Sequence, residues 1–150
     1  MPLLIALHLL AAVVWVGGMF FAYLVLRPSA GPLPSEARLQ LWQRVFSRFF
    51  PLVWASIIVL LGSGYGMIFV YLGGFAGVPL YVNVMQTIGI LMMMLFLHIY
   101  FAPWRRFSMA VTGKDFPEAA QRLAQIRRIV AINLVLGLAT IIVGASGRFW

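Results

Sequence analysis

Only two histidines occur among the 150 residues, His8 and His98, and both stand inside long apolar stretches. An imidazole placed in hydrocarbon is costly to keep without a task, so each is a candidate ligand. The other soft donors are thioethers, eight methionines in all, while cysteine is absent. Thiolate metal sites, disulfides and cysteine nucleophiles are thereby excluded. Aspartate and glutamate together number three, which leaves no carboxylate pair for glycosidase-type or two-metal chemistry. What remains is imidazole with thioether. That combination suits the two axial positions of a haem and equally suits Cu(I), a soft cation.

The elements that must hold these side chains follow from composition. Apolar residues make up 63% of the chain, charged residues 9%, and the mean hydropathy is +1.01. A soluble domain is typically about 25% charged, so this chain belongs in a lipid bilayer. Four uncharged apolar stretches, at 3–26, 50–72, 80–102 and 129–147, each approach the roughly 20 residues that cross the hydrocarbon core. They predict an all-α polytopic membrane protein, a single domain over 1–150 built as a bundle of four transmembrane helices. The first stretch is too long for a signal peptide and lacks its basic start and cleavage site, so it is expected to stay in the mature protein.

Charge orients the bundle. Arg27, Arg38, Arg44 and Arg48 fall between the first and second spans, and Arg105, Arg106, Lys114, Arg122, Arg127 and Arg128 between the third and fourth, whereas 73–79 carries none. The positive-inside rule then makes both charged loops cytoplasmic and both termini periplasmic, in a bacterial inner membrane. The net charge of +8 reads as membrane orientation and headgroup contact, not as nucleic-acid binding. Each charged loop is expected to carry a short amphipathic helix. Residues 35–50 interleave Leu39, Trp42, Phe46 and Phe49 with Arg38, Arg44 and Arg48, a pattern for a helix in the headgroup plane. Asp115, Pro117 and Glu118 form a helix start, with Asp115 as N-cap and Glu118 as the reciprocal acid, and this helix should run into the fourth span.

In lipid the inward faces are marked by small and polar residues. Helical spacing collects His8, Ala11, Trp15, Gly18 and Met19 on the first span, and Ser56, Ser63, Gly64 and Met67 on the second, with Trp54 and Tyr65 outward. On the third, Asn83, Gln86, Thr87, Met93, Met94 and His98 share a sector, leaving Met85, Met92, Phe96 and Ile99 to lipid. The fourth offers Asn133, Gly137, Thr140 and Gly144, a seam on which a flat ligand could lie. Depth separates the two imidazoles: His8 lies about 7 to 9 Å below the outer face and His98 about 27 Å, so they cannot share one metal. At the depth of His8 stand Ser63, Met67, Gln86, Thr87 and Gly144, with Arg148 at the mouth to receive haem propionates. His98 is expected to meet Asn133, in a hydrogen bond or a second ligand site.

The stretch Leu7 to Pro28, LHLLAAVVWVGGMFFAYLVLRP, with the third-span ending Leu97-His98-Ile99-Tyr100 followed by Trp104-Arg105-Arg106, resembles two related membrane families, copper resistance protein D and the HemJ-type protoporphyrinogen oxidases. The HemJ resemblance implies a haem b on His8 with a third-span lysine as second participant; here that slot falls on Gln86 or Thr87. The copper resistance resemblance implies copper handling across the inner membrane through His8, Met67 and His98. The leading expectation is a haem b protein with Met67 or Gln86 opposite His8, an electron-transfer protein or an oxidoreductase acting on a quinone or porphyrin. Copper passage or delivery is the alternative, and an auxiliary subunit of a membrane complex a third. A homodimer is compatible with each.

Overall fold

The computed structural model describes all 150 residues and contains helices and turns but no strand. Helix α1 spans Pro2–Ala30 and widens into a π-helical turn at Ala22–Leu26. Pro28 explains the widening: it has no N–H for the Leu24 carbonyl and its ring presses on that turn. The Ser29 hydroxyl donates to the neighbouring Val25 carbonyl at 2.7 Å.

Helix α2, Ser35–Tyr71, is a single helix of 37 residues with Pro51 inside it. The segment 35–50, expected as a separate helix lying among headgroups, is instead the first half of α2. Its apolar stripe of Leu39, Trp42, Phe46 and Phe50 continues without a phase break through Val53 and Ile57, all buried. One continuous seam outweighs the single hydrogen bond lost at Pro51. The helix ends where Gly73 and Gly74 take positive φ of 72° and 93°. The Gly74 amide donates back to the Ile68 carbonyl at 3.0 Å, a closure that only glycine makes without strain.

Helix α3, Leu80–Phe101, stops at Ala102, whose φ and ψ of −118° and −87° precede Pro103. The short α4, Pro103–Thr112, follows, and then α5, Phe116–Ser146. As expected, the loop helix and the fourth span are one element, and the Asp115 carboxylate accepts from the Glu118 amide at 3.3 Å. Glu118 does not reciprocate; its carboxylate turns forward to Arg122 at 2.7 Å.

Two antiparallel pairs make the bundle, α1 with α2 and α3 with α5, and side chains seat in glycine notches along both. Leu4 fits at Gly66, His8 at Gly64 and Phe49 at Gly18 in the first pair. Tyr81 fits at Gly147, Met85 at Gly144 and Met92 at Gly137 in the second, and Val16 reaches across from α1 to the Gly137 notch. The densest packing lies toward the arginine-rich end, where Phe46 stacks on Phe50 at 5.0 Å and Phe50 meets Trp104 edge-on at 5.2 Å. Outward, Leu3, Ile58, Val70, Leu80 and Ile142 are exposed, as lipid-facing residues should be.

The face expected for the third span is inverted in large part, although Gln86 and Met93 are half-buried as expected. Met92, Phe96 and Ile99 are buried, whereas Met94 is 62% exposed and Asn83, Thr87 and His98 also face out. Polarity misleads here because the Thr87 hydroxyl bonds the Asn83 carbonyl of its own helix at 2.9 Å and so needs no neighbouring helix. The notches of α5, in turn, require long flexible side chains, and methionine supplies them. Trp54, placed toward lipid by the same reasoning, packs against Phe96 at 5.5 Å and Tyr100 at 5.4 Å.

Candidate functional site

His8 is half-buried on α1, facing α2. Its Nδ1 lies 2.9 Å from the Ser63 hydroxyl, and that hydroxyl in turn lies 2.6 Å from the Val59 carbonyl. The second contact decides the tautomer. A carbonyl can only accept, so the Ser63 proton points to Val59, and the oxygen lone pair faces His8 and receives its Nδ1–H. Nε2 is then left with an unprotonated lone pair, the form in which histidine binds a metal. Gly64 completes the seat, because a Cβ there would stand 3.3 Å from the imidazole Cε1.

The notches fix which residues share the level of His8. Val16 and Met92 meet at Gly137; eight residues along α1 from Val16 to His8 rise about 12 Å, and seven residues from Met92 to Met85 about 10 Å. Met85, in the Gly144 notch with its Sδ 3.1 Å from where a Cβ would stand, is therefore the thioether at the His8 level. It was assigned to lipid in the sequence reading; the spacing of Gly137 and Gly144, seven apart like Met85 and Met92, was the signal that could have found it. Met67 is half-buried one turn beyond Ser63 on the same face of α2, about 6 Å further toward the uncharged end.

The remaining sequence candidates are distributed elsewhere. The Gln86 amide donates to the Tyr65 hydroxyl at 3.3 Å, and its Oε1 is buried without a partner. Trp15 is 2% exposed and packs edge-on against Phe96 at 6.3 Å, part of the core and not of an open site. The Gly144 seam, expected to receive a flat ligand, is filled by Met85. Arg148 is exposed and lies over the Phe149 ring at 4.6 Å, while Tyr81 packs on Gly147 and Ser146 bonds the Ile142 carbonyl of its own helix. Of the residues given to a macrocycle, Trp15 and the Gly144 seam are thus taken up by packing. His98 is exposed near the end of α3 and does not meet Asn133, which is 1% exposed and donates to the Met92 carbonyl at 3.2 Å. Thirteen residues of rise, about 20 Å, separate the level of His98 from that of Met85 and His8, so the two imidazoles indeed cannot share a metal. No cluster of three or more His, Cys, Asp or Glu side chains occurs that could hold a metal. Any ion here would depend on a single imidazole and thioethers.

Fold and site together define an integral membrane protein of four apolar helices with a tautomer-fixed histidine near its uncharged end. Residues 43–146 match the family model of copper resistance protein D, more than two thirds of the chain, and the protein belongs to that family. The match runs from within α2 to the end of α5 and begins after the His8-bearing helix. It lends nothing to the HemJ-type likeness. Comparison with curated proteins and with solved structures gives no match.

Proposed function

We propose that the protein handles copper as Cu(I) in the bilayer, passing or delivering it, with His8 Nε2 as the imidazole ligand and Met85 as the thioether at its level. The observation that carries this reading is the Ser63 hydrogen bond, which holds the His8 ring in one tautomer with Nε2 free. A neutral imidazole and thioethers without carboxylates select a soft monovalent ion over Zn²⁺ or Mg²⁺. Membership of the copper resistance family supports the same metal. Met67, one turn further toward the uncharged end, is the next thioether on the way out. By the positive-inside rule that end faces the periplasm.

The test is a Cu(I) titration of the purified protein against a chromophoric chelator, with a visible spectrum of the same sample. One tight Cu(I) per chain, lost in His8→Ala, weakened in Met85→Leu and unchanged in His98→Ala, is expected. A Soret band removed by His8→Ala would replace copper by haem b. No bound metal and no Soret band would leave the auxiliary-subunit reading.

A further inference from the structure

At the opposite end three arginines from three helices line one cleft of about 620 Å³. Arg27 comes from the last turns of α1, Arg38 from the first turn of α2 and Arg127 from α5. All three are half-buried, and Arg27 and Arg38 lie close enough to Arg127 to act on its charge. No carboxylate answers them. Glu118 is paired with Arg122, Glu36 accepts from Gln40, and Asp115 caps α5. Two of the guanidiniums are nonetheless held in place: Arg27 sits 4.9 Å above the Tyr23 ring, and Arg38 donates to the Gly31 carbonyl at 3.2 Å. Each keeps further N–H groups for a ligand.

Ser35 lines the same cleft at the start of α2. Pro34 provides no capping side chain there, and the amides of Ser35, Glu36 and Ala37 donate to no protein atom. Unpaired amides at a long helix's positive end add to the field of the arginines. Like charges held together without a counter-charge are unfavourable unless an anion joins them, and guanidinium forks match tetrahedral oxyanions best. We propose that this cleft is a binding site for a phosphate group, supplied by an anionic phospholipid headgroup or by a soluble phosphate. The cleft stands where the helices leave the hydrocarbon, and Leu39 and Trp42 give it an apolar floor.

The full chain, purified in a non-ionic detergent, is titrated with dioleoylphosphatidylglycerol, dioleoylphosphatidylcholine, and sodium phosphate against sodium chloride at equal ionic strength. Thermal midpoint and native mass spectrometry are the readouts. Stabilisation by phosphatidylglycerol alone identifies the lipid headgroup as source; stabilisation by inorganic phosphate as well identifies the soluble one. In either case Arg127→Gln and Arg38→Gln each weaken retention about tenfold, the loss of one charge-assisted hydrogen bond. Arg105→Gln, an exposed arginine of α4, retains the response. If Arg127→Gln does not fold, Arg38→Gln at the exposed start of α2 carries the comparison. A wild-type protein indifferent to both phosphate sources, or equal losses in Arg38→Gln and Arg105→Gln, would overturn the assignment.

Discussion

Replacing Ser63 by alanine removes one oxygen, and the proposed Cu(I) site separates what that oxygen does for folding from what it would do for the metal. Ser63 accepts from His8 and donates within its own helix, so Ser63→Ala breaks one contact between α1 and α2. Such contacts in a bilayer average about 0.6 kcal/mol and reach about 1.7 kcal/mol. In the proposed Cu(I) site the oxygen would be an outer partner of a ligating imidazole, and removal of such partners costs about 10- to 100-fold in affinity. That range is about 1.4 to 2.7 kcal/mol. Ser63→Ala should therefore leave the protein folded, with little change in its thermal midpoint, while Cu(I) affinity falls by one to two orders of magnitude by these estimates. The assay is competition with a Cu(I) chelator of known affinity, run beside an unfolding curve on the same preparation. Unchanged affinity in Ser63→Ala, with binding abolished in His8→Ala, would refute the argument that the serine fixes the tautomer.

Gly137→Ala should destabilise the bundle by about 1 to 3 kcal/mol, since its Cβ would stand 2.8 Å from Val16 Cγ2 and 3.1 Å from Met92 Cε. Gly17→Ala, with nothing within 4 Å, is the control that should not lose stability in a thermal melt. Asp115→Ala should cost about 0.5 to 1 kcal/mol, the lower part of the range for an N-cap, because its bond to Glu118 is long at 3.3 Å; chemical unfolding monitored by circular dichroism reads it. The chain has no cysteine, so single cysteines report topology cleanly. Those introduced at Gly74 and after Trp150 should react with an impermeant thiol reagent in intact cells and one at Gly113 should not; the reverse pattern would invert the orientation.

How much of this was legible in the sequence depends on which solvent writes the signal. Hydrocarbon length marked the four spans, and the capped start at Asp115 marked the loop helix that enters the fourth, because both signals belong to single helices. The inward face of α1 was legible too, since Ala11, Trp15 and Met19 lie on one stripe and are buried. The face of α3 was not. In lipid a methionine is as comfortable outside as inside, and only the notches at Gly137 and Gly144 decide that Met92 and Met85 point in. That is a relation between two helices that neither displays alone. The seat of His8 has the same character: the histidine was visible, but the serine that sets its tautomer becomes a partner only once α1 and α2 are docked in register.

The length of α2 has a consequence for how the protein holds together. Its 37 residues extend about 55 Å, against a hydrocarbon core of about 30 Å, so its arginine-bearing turns and the Trp42, Phe46 and Phe107 rings packed with them reach into the region that water can touch. There the rings are driven together by expulsion of water. At the His8 end no water is available to be expelled, and cohesion rests on how closely side chains fill glycine hollows. One molecule thus has a waterside clasp and an oil-side fit. Urea, which acts on the first, should loosen the arginine-bearing end while the histidine end persists, and a short-chain detergent, which competes for the second, should do the opposite.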